Sequence, residues 1–152
     1  MDVIVSERGK TIQRVEKSAT EWKNVLSSDE YYVLREHGTE RSFTSPLNDN
    51  KAAGVYHCAG CDLPLFSSQT KFKSGTGWPS FFKPIDKNFV ADKTDNSYGM
   101  RRVEVLCARC DGHLGHVFDD GPRPTGLRYC INGVSLEFKE GATDLKTWQP
   151  NP

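Results

Sequence analysis

The chain carries no net charge: twenty Lys and Arg balance twenty Asp and Glu over 152 residues. No global field draws nucleic acid or anionic lipid to it, so only a local basic patch would serve that purpose. Long apolar runs are missing too; the longest are a few residues, far short of the roughly 20 that a membrane helix needs. Met1-Asp2 leads into mixed polar sequence, without the basic start and apolar stretch of a secretory signal. There is no low-complexity segment and no long internal repeat. Apolar residues make up only 36% of the chain, a thin supply for a sheet core. Cysteines number five, and without an export signal their spacing favours metal over disulfides. A reducing, cytoplasmic setting is expected. The length suits one domain, 1–152, large enough to bury about 68–70% of the surface of its unfolded chain.

Four of those cysteines form two CxxC pairs, Cys58 with Cys61 and Cys107 with Cys110, with 45 residues between the pairs. Each short knuckle offers two sulfurs to one tetrahedral ion. Cys58-Ala59-Gly60-Cys61-Asp62 echoes Cys107-Ala108-Arg109-Cys110-Asp111, as two similar turns facing one metal would. Four thiolates close the shell and leave no position for water, so one structural Zn2+ per chain is expected. A redox CxxC and four unrelated buried cysteines are the rival readings; His57 reads as a neighbour of the site only.

Ser18-x-x-Glu21 and Ser27-x-x-Glu30 are capping-box patterns. They predict two short helices, at about 19–26 and 28–37, the second ended by Gly38. Residues 39–53 read as a loop. From Gly54 onward, short β-type runs lie between glycines, prolines and aspartates: 54–58, 88–92, 100–107, 113–118, 127–131 and 134–138. The fold class is therefore mainly β, in antiparallel sheets behind two N-terminal helices. Asn132-Gly133 between the last two runs reads as a tight hairpin turn. The core spans about 27–138, and the polar stretch 139–152 reads as a loose tail.

Cys130 stands outside the CxxC pairs. Alone, such a cysteine is most often a small buried hydrophobe. On a strand, however, Arg128, Cys130 and Asn132 share one face, which sets a guanidinium beside the sulfur to favour thiolate. Arg128 reads equally as a solvated surface arginine, and Asn132 as a residue serving only the turn. His113 and His116 would face opposite sides of a regular strand; a bulge at Gly115 would bring them together, where they can supply protons near neutral pH. Glycines on both sides of Thr76 predict a sharply bent loop, with Trp78 beside Pro79 as either a core aromatic or an apolar wall for a small methyl or thioether.

Cys58-Ala59-Gly60-Cys61, Ser74-Gly75-Thr76-Gly77-Trp78-Pro79-Ser80-Phe81, the run Cys107 to Phe118 and Arg128-Tyr129-Cys130-Ile131-Asn132, taken in this order, resemble the B-type methionine sulfoxide reductases. The resemblance runs from about Ser27 to Phe138. It implies two antiparallel sheets in a tent-like arrangement, with zinc away from the chemistry, and reduction of the R epimer of methionine sulfoxide, free or in proteins. It also implies Cys130 as nucleophile, with His113, His116 and Asn132 lining the pocket. Trp78 receives the substrate methyl, and Arg128 and Phe118 belong to the substrate side. Many members carry a second redox cysteine where this chain has Thr76, so the form expected here lacks the usual resolving thiol.

Thiolate attack on sulfoxide sulfur, with a proton delivered to oxygen by His116 in preference to His113, gives methionine and a sulfenic acid on Cys130. An external thiol, thioredoxin or glutathione with glutaredoxin, then recycles it. A monomer without nucleic-acid or membrane partners is expected. Two other classes use some of the same residues: a zinc-ribbon binding module without redox activity, and a cysteine hydrolase built on Cys130 and His116.

Overall fold

The computed structural model describes residues 2–150. Both capping boxes form as the sequence predicts. Ser18 starts α1 (Ala19–Val25), and Ser27 starts α2 (Ser28–Glu36). In each, the serine hydroxyl accepts the amide of the glutamate three residues on, and that glutamate's carboxylate accepts the serine amide. Termination differs by one residue from expectation. His37, with φ 57° and ψ 33°, is the left-handed residue that ends α2, and Gly38 follows it.

Eleven short strands make three antiparallel sheets among the described residues, not two. A hairpin of β1 (Val3–Val5) and β2 (Thr11–Gln13) stands apart at the N-terminus. Three-residue strands with one buried residue, Ile12, give almost no alternation to read, and the sequence predicts no strand before Gly54. The three-stranded sheet runs β11 (Leu136–Glu140), β3 (Gly54–Cys58), β4 (Pro64–Ser67). The six-stranded sheet runs β5 (Lys71–Phe72), β6 (Ser80–Phe81), β10 (Arg128–Ile131), β9 (His113–Phe118), β8 (Arg102–Cys107), β7 (Val90–Asp95). Aromatic rings join the last two sheets: Phe66 stacks on Phe81 at 4.5 Å, and Tyr56 meets Phe81 edge-on at 5.1 Å. Such pairs are worth about 0.5–1.5 kcal/mol each beyond their buried area.

The expected hairpin over 127–138 does not form. β10 pairs with β6 and β9, whereas β11 pairs with β3 in the other sheet. The tight Asn-Gly turn is of type I′ and needs positive φ at both central residues, but Asn132 has φ −67° and ψ 122° and Gly133 is not in that region. The Asn132 side chain is spent elsewhere, donating to Leu114 O and accepting from Glu40 N, both at 2.9 Å. A 3-10 turn, Gly133–Ser135, then carries the chain across to the second sheet.

The C-terminal stretch is not a loose tail within the described residues. β11 extends to Glu140, the Trp148 ring meets Phe89 at 5.9 Å, and Trp148 O accepts Lys10 Nζ at 2.9 Å. No helix among the described residues is long and apolar enough to cross a membrane.

Candidate active site

Cys130 lies near the middle of the six-stranded sheet. Cross-strand partners share a face, so the register lays out one row: Ser80, Cys130, His116, Glu104, Lys93. His116 stands directly across from Cys130. Two residues along the same face, Arg128 pairs with Phe118, its guanidinium 4.4 Å from that ring. Both ends of the Arg128 fork reach Asp120, at 2.9 and 3.2 Å. The guanidinium is therefore neither free in solvent nor aimed wholly at the sulfur.

The two histidines do come together, with ring centroids 5.5 Å apart. The irregularity that achieves this sits at Leu114, one residue before the expected position. Val105 pairs with Gly115 and Leu106 with His113, leaving Leu114 as the extra residue. Gly115 has a different task. A β-carbon there would lie 2.0 Å from Cys130 O, so only glycine lets β9 approach the cysteine this closely.

The loop over 74–80 curls against the sulfur. Gly75 and Gly77 adopt φ of 79° and 90°, the left-handed backbone expected on both sides of Thr76. Thr76 Oγ1 lies 3.9 Å from Cys130 Sγ, and Ser74 and Ser80 complete a hydroxyl chain at 2.8 and 2.7 Å. Pro79 O accepts the Ile131 amide at 2.9 Å, binding the loop to β10. Trp78 is half-buried, and its Nε1 donates to Glu40 O at 3.0 Å. That bond and the Asn132–Glu40 bond tie the segment after α2 to both edges of the site.

Burial raises the Cys130 thiol above its ordinary pKa, although the Thr76 hydroxyl and then Arg128 pull the other way. Arg128 does favour thiolate, as its place on the strand predicts, but in the folded chain desolvation outweighs it. His113 is lowered by burial, opposed by its bond to Glu104. Asp95, which accepts from Ser97 and meets His116 Nε2 at 2.9 Å, is held well below the usual carboxylate range, chiefly by the Ser97 hydroxyl.

Sequence reasoning missed four side chains that hold these groups: Glu40, Asp95, Glu104 and Asp120. Glu104, between Val103 and Val105, reads as an ordinary outward residue of an alternating strand. Only the register across β8 and β9 reveals what it faces.

The four CxxC cysteines are all buried, with their sulfurs within 4.8 Å of one another. Cys58 and Cys110 stand 3.7 Å apart, Cys61 and Cys107 3.4 Å. Thiolates about 2.3 Å from one tetrahedral zinc stand about 3.8 Å apart, so the donor set fits that ion. Asp62 and Asp111 both turn left-handed after their knuckles, at φ 69° and 62°, so the two echoed turns are alike in backbone. His57 instead meets Asp62 O at 2.8 Å and is not a member of the sulfur cluster.

The SelR domain matches residues 26–140. Among curated proteins the chain is similar to the peptide methionine sulfoxide reductase MsrB of Pseudomonas putida (strain W619), 57% identical over 84% of this chain and 96% of that one. It is 62% identical to the MsrB of Methanosarcina barkeri (strain Fusaro / DSM 804), over 82% of this chain and 88% of the relative. For the MsrB of Agrobacterium fabrum (strain C58 / ATCC 33970) the identity is 54%, over 85% and 96% respectively.

Proposed function

The chain belongs to the SelR-domain family of MsrB-type peptide methionine sulfoxide reductases, and we propose that it reduces the R epimer of methionine sulfoxide, in proteins or free, to methionine. The observation that carries this reading is the placement of Cys130. It is the one cysteine outside the sulfur cluster, directly across from His116 and under the glycine-framed loop that bears Trp78.

Trp78 offers the apolar wall for the substrate methyl, with Phe118 and the stacked Arg128 on the substrate side. The Cys130 thiolate attacks the sulfoxide sulfur. As the sulfur–oxygen bond breaks, the oxygen and one proton pass to Cys130, which becomes a sulfenic acid while methionine leaves with its sulfur reduced. His116 gives the proton, its ring held by Asp95 through Nε2 at 2.9 Å. His113 shares this work. Asn132 braces the Glu40 segment that receives the Trp78 indole. One external thiol then forms a mixed disulfide with release of water, and a second frees Cys130; thioredoxin or glutathione with glutaredoxin serves as donor. Cys58, Cys61, Cys107 and Cys110 hold one zinc ion, which stabilises the fold. The chain folds as one domain and acts as a monomer in the cytoplasm, without nucleic acid or membrane.

This form recycles without an internal disulfide, because Thr76, with its Oγ1 3.9 Å from the sulfur, offers a hydroxyl, which cannot resolve a sulfenic acid. After one turnover without reductant, a sulfenic-specific probe is expected to label Cys130 stoichiometrically. Thr76→Cys, starting from a side-chain oxygen 3.9 Å from Sγ, should close a disulfide and abolish that labelling. Mass spectrometry decides: a peptide linking Cys130 to a CxxC cysteine in the oxidised wild type, with zinc release, would overturn the recycling route.

A further inference from the structure

Two strands from Cys130 on the same sheet lies a carboxylate that no sequence signal singles out. Glu104 is 6% exposed on β8, and its Oε2 meets two imidazoles at once: His113 Nδ1 at 2.6 Å and His37 Nδ1 at 2.5 Å. The three donor atoms lie within 4.8 Å, a grouping that invites a metal. The distances argue otherwise. Ligands about 2.0–2.2 Å from one tetrahedral ion stand roughly 3.3 Å or more apart. Contacts of 2.5 and 2.6 Å are hydrogen bonds sharing one carboxylate oxygen.

We propose that Glu104 and His37 are positioning residues for His113, fixing its ring so that Nε2 alone remains for the sulfoxide oxygen and governing how readily that nitrogen gives a proton. This role rests on the functional reading above.

Three observations support it. With Nδ1–H committed to Glu104, the ring's second nitrogen is buried and has no hydrogen-bond partner among the described residues, an orphan position that a substrate oxygen would satisfy. His113 is itself 2% exposed, so its orientation is set by protein contacts and not by solvent. His37 comes from a different element, the left-handed end of α2, and reaches the same oxygen from the solvent side, its side chain 57% exposed. One carboxylate thus couples the helix end to the reacting face of the sheet.

The charged and titratable groups around His113 are Glu104 and Arg102 on β8, His116 on β9, Asp95 and Lys93 on β7, Tyr32 on α2, and His37 beyond α2. Cys130 and Arg128 lie across the sheet on β10. Glu104 favours the protonated His113 ring, whereas His37 and His116 oppose it. Two substitutions should therefore move its titration in opposite directions. Glu104→Gln keeps an acceptor of the same shape but removes the negative charge, so His113 loses its proton at lower pH. His37→Gly suits the left-handed backbone and removes both a second donor to Glu104 and the imidazole that opposes protonation of His113, so His113 keeps its proton to higher pH.

The experiment is the pH profile of kcat and kcat/KM for methionine sulfoxide with saturating dithiothreitol, alongside 15N NMR of the His113 ring. In Glu104→Gln, kcat should fall by about 10²-fold with KM within about twofold. The limb on which rate falls with rising pH should move down by about one pH unit, and Glu104→Asp should recover part of the loss. In His37→Gly the same limb should move up. The wild-type ring should titrate from a neutral form protonated at Nδ1, and Glu104→Gln should lose that preference. An active wild type whose limb is unmoved in both variants, or moves the same way in both, would sink the positioning role alone. A wild type inactive on sulfoxide would sink the functional reading and this role with it. If Glu104→Gln does not fold, His37→Gly decides by itself, since its side chain is exposed; an unshifted profile there overturns the proposal.

Discussion

Cys130→Ser is expected to abolish sulfoxide reduction, by at least about 10³-fold, while leaving the fold and metal content unchanged. An alcohol at this position is not ionised near neutral pH, and it cannot accept the sulfoxide oxygen as a sulfenic acid. The exchange removes little volume from a half-buried position, and its neighbours Thr76 and Ser80 are themselves hydroxyls. The fold therefore has no reason to respond. Steady-state turnover of methionine sulfoxide with dithiothreitol, run beside thermal melting, is the check. Activity above a few per cent of wild type in a well-folded variant would remove Cys130 from its role.

The second large effect is on stability. Cys58→Ser or Cys110→Ser should lose zinc and give aggregated or poorly folded protein, with inactivity as a consequence. The scale decides this. Structural zinc contributes about 10–16 kcal/mol of apparent binding free energy, against a net stability of about 5–15 kcal/mol for a whole domain. The knuckles are also where separate parts of the chain meet. Trp22 and Leu34 of the two helices lie over Gly60, and Leu34 also lies over Gly112; Arg35 donates to Cys110 O at 2.8 Å. Buried Arg109 reaches back to Gln13 O at 2.8 Å and Cys61 O at 3.3 Å, tying the N-terminal hairpin to both knuckles. Metal analysis of the wild type should give one zinc per chain, and a strong chelator should lower the melting temperature. No zinc in the pure protein, with melting indifferent to the chelator, would contradict the assignment.

Local signals were the ones that could be read without a structure. Both capping boxes, the two CxxC knuckles and the glycines around Thr76 act within a few residues, and each forms in the fold. β3 falls on 54–58 as expected because its residues sit between clear turn signals. Long-range pairing was not legible. Asn132-Gly133 has the composition of a hairpin turn, yet Asn132 is held by Leu114 and Glu40, residues 18 and 92 positions away. No local rule anticipates those bonds. The site divides in the same way. Cys130, Trp78 and the histidine pair announce themselves by type and spacing, and the register does bring Cys130 to His116. The residues that orient them, Asp95, Glu104, Asp120 and Glu40, are ordinary acids in the sequence and acquire a meaning only from neighbouring strands and the turn after α2. The net shift of the Cys130 thiol is not legible in the sequence for a related reason. A neighbouring arginine is visible in sequence, but the burial that outweighs it is not.

The most direct test is an assay on the separated R and S epimers of methionine sulfoxide, with dithiothreitol as the only reductant and methionine quantified as product. Pure wild-type protein should convert the R epimer catalytically, many methionines per chain, and leave the S epimer untouched. Conversion of neither epimer, or of the S epimer alone, would contradict the account.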